Sequence, residues 1–165
     1  MENNQKIVCS NIWKLFGPNE KNVLSNLDQS LSRNEVQEKT GHVVAVKEVS
    51  FSVQKGETFV VMGLSGSGKS TLVRCLSRLI EPTSGLVTID GVDVTKMNNK
   101  ELTDLRRNRM SMVFQHFGLF PHRRVIENIG YGLEIRGVGK KERTEKSMET
   151  LKLVGLDGWD QHYPR

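Results

Sequence analysis

The sequence predicts an α/β domain in which short apolar strands and amphipathic helices surround one glycine-rich turn. Three observations predict it. Lys6 to Phe16 and Val43 to Val53 are rich in β-branched and aromatic residues, as strands are. An apolar run, Thr58 to Met62, leads directly into Gly63-Leu64-Ser65-Gly66-Ser67-Gly68-Lys69-Ser70. Beyond that turn, Leu72, Val73, Leu76, Leu79 and Ile80 fall at helical spacing.

Composition sets the outer limits. The 165 residues suffice for one hydrophobic core, and 36% apolar with 26% charged residues is ordinary for a soluble domain. No apolar run is long enough to cross a bilayer, and the N-terminus lacks the basic-then-apolar layout of a secretory signal, so a cytoplasmic location is expected. Cys9 and Cys75 are too few for a disulfide framework and lack partners at zinc-site spacing, which leaves two free thiols in packing roles. The net charge of +5 suits phosphate-bearing partners. Arg106, Arg107, Arg109, Arg123 and Arg124 nevertheless lack the interleaved aromatics of a nucleic-acid surface and read as solvated helix faces.

The elements follow in order. The first strand stops at Gly17-Pro18. Between residues 18 and 41 lies a helical insert, in which Val23, Leu24, Leu27 and Leu31 form one apolar stripe on a helix. A second short helix starts at Ser32, three residues before Glu35 in a capping-box arrangement, and Gly41 stands where a left-handed C-cap belongs. The second strand turns at Gln54-Lys55-Gly56-Glu57 into Thr58 to Met62, apolar throughout and suited to a buried strand. The helix after the glycine-rich turn is expected to run to Glu81-Pro82. Leu86 to Ile89, Asp90-Gly91 and Val92 to Val94 spell a hairpin. Glu101 to Arg107 reads as a short helix, Met110 to Phe114 as another buried strand, and the chain from Arg123 as helices punctuated by Gly137, Gly139, Gly155 and Gly158.

Residues 63–70 match the phosphate-binding loop pattern of Gly, four residues, Gly, Lys, then Ser or Thr. A polyphosphate needs several N–H donors at close range, and glycines let the backbone approach the anion without a Cβ in the way. The following helix adds its unpaired N–H groups and the positive end of its dipole. Lys69 then reaches the β- and γ-phosphate oxygens, and Ser70 offers its hydroxyl to Mg²⁺. The pattern is shared by kinases, GTPases, motors and transport ATPases, so by itself it establishes nucleotide binding only.

Residues 63 to 72, ending Lys69-Ser70-Thr71-Leu72, resemble the Walker A segment of the ABC ATPases. Glu81-Pro82-Thr83-Ser84-Gly85 followed by Ile89-Asp90-Gly91 is similar to that family's next stretch. Met112-Val113-Phe114-Gln115, with Leu119-Phe120-Pro121-His122 and Val125-Ile126-Glu127-Asn128-Ile129, resembles its Q-loop and the entry to its helical subdomain. The resemblance implies a P-loop NTPase (RecA-like) core with an ABC-type antiparallel β-subdomain. Its parts would be residues 1–62 with the insert, 63–115 to the Q-loop, and 116–165 as the start of the helical subdomain. It implies ATP and Mg²⁺ as cofactors, bound by Phe16 against adenine, by Gly63, Leu64, Ser65, Gly66, Ser67, Gly68, Lys69, Ser70 and Thr71 at the phosphates, and by Ser70 and Gln115 at the metal. Lys69 and Gln115 would be the catalytic residues.

Within that family the insert ending Glu38-Lys39-Thr40-Gly41, together with Arg78-Leu79-Ile80-Glu81-Pro82 and Phe117-Gly118-Leu119-Phe120-Pro121-His122, resembles the quaternary-amine and proline class. This implies an ATPase on the inner face of the cell membrane, paired with a second copy, with transmembrane permease subunits and with a separate solute-binding protein, driving uptake of glycine betaine, proline betaine or a related solute. An importer of another solute, such as an amino acid, and a non-catalytic nucleotide-binding fragment remain the alternatives. Arg124 departs from the family's frequent Thr, a candidate N-cap, so a slightly less stable helix start is expected. His162-Tyr163-Pro164-Arg165 resembles the segment before the family's signature loop. With no water-orienting carboxylate after it, this segment alone is expected to bind ATP weakly and hydrolyse it negligibly.

Overall fold

The computed structural model describes residues 4–114 and 118–164, which form two compact units, Met1–Leu102 and Thr103–Arg165. In the first, β1 (Gln5–Phe16) pairs antiparallel with β2 (Val43–Gln54) on one side and with β3 (Ser84–Ile89) on the other; β4 (Val92–Asp93) completes the order β2-β1-β3-β4. β1 bulges between Cys9 and Ile12, where Asn11 takes a φ of 49° and its N–H donates to Ser50 Oγ at 2.7 Å. The β3–β4 turn has Asp90 and Gly91 both at positive φ, 50° and 77°, the two-residue hairpin geometry that the dipeptide favours.

The insert comprises α1 (Glu20–Ser25) and α2 (Arg33–Thr40). Val23, Leu24, Leu27 and Leu31 all pack onto one cluster with Trp13, Leu15, Val36 and Val44, yet they do not share a helix. α1 stops at Ser25, because Asn26 and Asp28 spend their side chains locally. Asn26 Nδ2 donates to Asn22 O at 2.9 Å, and Asp28 Oδ1 accepts from Ser30 N at 3.0 Å and Ser30 Oγ at 2.7 Å. α2 begins with both bonds of the Ser32–Glu35 capping box and ends at Gly41 in the left-handed conformation.

Two expected strands are absent. Neither Thr58 to Met62 nor Met110 to Phe114 joins a ladder, because neither finds a partner strand among the described residues. Apolar character alone does not make a strand. Phe59 stacks on Phe51 of β2 with centroids 4.6 Å apart, but Met62 is 85% and Val113 98% exposed. The helix after the glycine-rich turn, α3 (Lys69–Leu76), is also shorter than its apolar spacing suggests. Arg78 turns to a φ of 49° and its Nη1 donates to Val94 O and Met97 O at 2.8 and 2.7 Å, while Arg78 N–H returns to Cys75 O at 3.0 Å and closes the helix. α4 (Asn99–Asn108) starts two residues earlier than expected, capped by Asn98 Oδ1.

Cys9 and Cys75 are 1% and 0% exposed. Burial pushes each thiol up from 9.0 to about 11, and at Cys9 the neighbouring Cys75 adds to the effect. A pKa raised in the folded state means that stability is fully present below about pH 9 and is lost as pH rises towards 11, where the unfolded thiols ionise first. Denaturation midpoints measured across pH 8 to 11 should therefore fall, and a Cys9→Ala/Cys75→Ala variant should fall less steeply.

In the second unit, α5 (Val125–Glu134) and α6 (Lys140–Leu153) pack as a helical hairpin with Ser147 and Leu151 buried. Arg124 precedes α5, and its side chain gives no cap; Glu127 accepts from Arg124 N–H at 2.8 Å. The expected weakness at this helix start is offset by the tail, since Val125 N–H donates to His162 O at 2.8 Å and Ile126 N–H to Asp160 O at 3.1 Å. The Arg124 guanidinium donates to Gln161 Oε1, and Trp159 in the same tail is 54% exposed.

Candidate phosphate-binding site

Gly68 is the N-cap of α3, with a φ of 98° and no side chain to cap with. Leu72 N–H makes the first helical bond, to Gly68 O at 2.8 Å, so the N–H groups of Lys69, Ser70 and Thr71 have no partner within the helix. The fit at Gly68 is close. A Cβ there would lie 2.0 Å from Ala45 O, which presses the loop against the backbone of β2. Glycine is needed both for the conformation and for the contact.

Lys69 folds back along the loop. Its ammonium donates to Gly63 O and Leu64 O, each at 2.7 Å, and lies 3.5 Å from Ser67 Oγ. Ser67 N–H donates to Leu64 O at 3.2 Å, closing the turn that carries Ser65 and Gly66. Ser70 is exposed and Thr71 half-buried in the first turn of α3. The arrangement thus gathers a cation, a hydroxyl and several backbone donors at one helix N-terminus, a chemistry suited to a polyphosphate.

Phe16 ends β1 opposite Val43, two residues along β2 from the Ala45 carbonyl that meets Gly68. The strand rise puts those two positions about 7 Å apart, so β2 brings the aromatic ring and the loop to the same stretch of sheet. The ring is 41% exposed. Lys14 lies with Nζ 5.0 Å from the ring centroid, and this buried lysine pairs with Glu20 at 2.7 Å, at the start of α1. His42 fastens the other end of the insert, with Nδ1 2.8 Å from Thr40 O and Nε2 2.7 Å from Pro18 O.

Of the site residues expected from sequence, 63 to 71 come together around the start of α3, and Phe16, at the end of β1, stands opposite Val43 on the same stretch of β2 that meets Gly68. Gln115 lies outside the described residues. Lys14, Glu20, His42 and Arg33, whose Nη1 lies 3.4 Å from Ser67 O, support the site and were not anticipated. Lys14 had a signal, since it stands two residues from Phe16 on a strand and shares its face. The 34-residue separation of Arg33 and Ser67 had none.

Among the described residues, no group of three or more His, Cys, Asp and Glu side chains is arranged to hold a metal, and no helix is long and apolar enough to cross a membrane. A groove of about 310 Å³ runs along the α5–α6 hairpin, lined in part by Arg124, Glu127, Glu134 and Arg143. Within it Glu134 is already matched, accepting from Arg123 at 3.1 Å and lying 3.3 Å from Arg143.

Comparison with known proteins agrees with this geometry. Residues 46–163 match the family model described as ABC transporter. The chain is 51% identical over 159 residues to the glycine betaine/carnitine transport ATP-binding protein GbuA of Listeria monocytogenes, covering 96% of this chain and 40% of that protein. It is 50% identical, over 96% of its length and 38% of the other's, to the glycine betaine transport ATP-binding protein OpuAA of Bacillus subtilis. The chain therefore spans about 40% of the length of these relatives. The ATP-binding cassette MJ0796, solved as a dimer bound to ADP and Pi, superposes with a TM-score of 0.76 at 28% identity, over 96% of this chain and 61% of that one. With most of its length matched by the family model and its glycine-rich loop set at the head of α3, the chain belongs to the ABC transporter family.

Proposed function

We propose that this chain is the nucleotide-binding portion of the energy-coupling subunit of an importer, which uses ATP to drive uptake of glycine betaine or a related compatible solute. The observation that carries this reading is the joint one: a phosphate loop at the head of α3, in a chain about half identical, insert included, to two betaine-transport ATP-binding proteins. The backbone donors of residues 66 to 71 would hold the polyphosphate, and Lys69 would place its charge on the β- and γ-oxygens. Mg²⁺, when bound, would neutralise charge developing on those oxygens; Ser70 and Gln115 are the residues proposed to hold it. Hydrolysis belongs to the full-length subunit, paired with a second copy beneath transmembrane permease subunits on the cytoplasmic side and supplied by a separate solute-binding protein.

The test is uptake. Cells lacking their own betaine importers, given the full-length gene with its neighbouring transport genes, should accumulate labelled glycine betaine at high osmolarity, and the Lys69→Ala version should not. Equal accumulation by both versions would remove the transport assignment.

Phe16 is proposed to stack on adenine. Loss of one aromatic platform under a base costs about 1–3 kcal/mol. Calorimetric titration of the full-length protein with Mg-ATP should show Phe16→Ala binding at least about fivefold more weakly, while Phe16→Tyr, which keeps the ring, stays near wild type.

A further inference from the structure

The insert reaches the phosphate loop through one side chain. Arg33, the first residue of α2, places Nη1 3.4 Å from Ser67 O. It does so from an anchored base, because the capping box orders the start of α2, Val36 is buried in the cluster with Trp13, Leu15 and Val44, and Lys47 Nζ donates to Leu31 O at 2.9 Å.

Peptide planarity gives that contact a direction. In a trans peptide the carbonyl and the following N–H point to opposite sides, so a guanidinium that draws Ser67 O towards the insert turns the Gly68 N–H away from it. Among the described residues no acceptor takes that N–H. Gly68 has no Cβ to restrict rotation of the peptide, so a side chain that holds the Ser67 carbonyl adds to the constraint on its orientation.

We propose that Arg33 is a positioning residue of the nucleotide site, locking the Ser67–Gly68 peptide with its N–H turned towards the bound phosphates. This rests on residues 63 to 70 being the polyphosphate site. It makes the helical insert part of the binding apparatus, and linkage requires the reverse as well, that bound polyphosphate steadies the insert.

The full-length protein would be titrated with Mg-ATP, with inorganic tripolyphosphate and with adenosine, as wild type, Arg33→Ala, Arg33→Lys and Lys69→Ala. Arg33→Ala should bind ATP and tripolyphosphate about tenfold more weakly, leave adenosine unchanged, and melt without ligand at the wild-type temperature; Arg33→Lys should recover part of the loss. Wild-type affinity of Arg33→Ala for tripolyphosphate, alongside weakened binding by Lys69→Ala, would overturn the role of Arg33 and leave the site intact. Equal losses for adenosine and tripolyphosphate would also overturn it, since they would mark a general structural effect. Undiminished tripolyphosphate binding by Lys69→Ala would remove the site itself, and the proposal with it.

Discussion

Lys69→Ala should weaken Mg-ATP binding by the full-length protein by about 100-fold or more. Truncating one partner of a desolvated, hydrogen-bonded charge pair costs about 2–5 kcal/mol, and each 1.4 kcal/mol is tenfold. The geometry adds a second loss, because the same ammonium holds Gly63 O and Leu64 O at 2.7 Å and so orders the first half of the loop. Lys69→Met removes both effects together. It keeps most of the side chain's length but neither the charge nor the donors, and should lose as much affinity as the alanine variant. Calorimetry with Mg-ATP reads the result, and affinity within twofold of wild type would contradict the role given to Lys69.

Gly68→Ala should be strongly destabilising to the first unit. At a φ of 98° an L-residue is strained, and its Cβ would stand 2.0 Å from Ala45 O and 3.1 Å from the carbonyl carbon, both backbone atoms of β2. Loop and strand must separate for it to fit, so a destabilisation of about 2–4 kcal/mol is expected. For a unit of this size that lowers the melting temperature by on the order of 10 °C or more. Gly66→Ala is the matched control, since Gly66 also has positive φ, at 78°, but a Cβ there meets nothing within 4 Å. Its cost is the conformational part alone, about 1–2 kcal/mol. Thermal unfolding followed by circular dichroism compares the two, and equal melting temperatures would show that the contact with Ala45 does not constrain the fold.

These two residues belong to the part of the molecule that was legible in the sequence. The loop could be read because its chemistry is local: spacing, glycine content and the helix that follows are all contained within a dozen residues. The Ser32–Glu35 capping box and the Asp90-Gly91 hairpin were legible for the same reason. What failed depended on partners. Thr58 to Met62 and Met110 to Phe114 have the composition of buried strands, but a strand is a pairing, and composition does not supply the second member. The stripe from Val23 to Leu31 reported correctly which residues face the core and incorrectly that one helix carries them, because Asn26 and Asp28 offered their side chains to nearby groups. At Arg124 the sequence revealed the missing acceptor, while the carbonyls of Asp160 and His162 that replace it come from more than thirty residues away.

The chain's two tryptophans stand in opposite surroundings. Trp13 is 2% exposed beneath the insert, with the Lys47 ammonium 5.9 Å from its ring, and Trp159 lies open in the tail that caps α5. Indole emission shifts to the blue in apolar surroundings and to the red in water, so each compact unit carries its own optical reporter. A quencher dissolved in the buffer should extinguish Trp159 first, leaving a blue-shifted signal from Trp13 that follows the docking of the insert without any added dye.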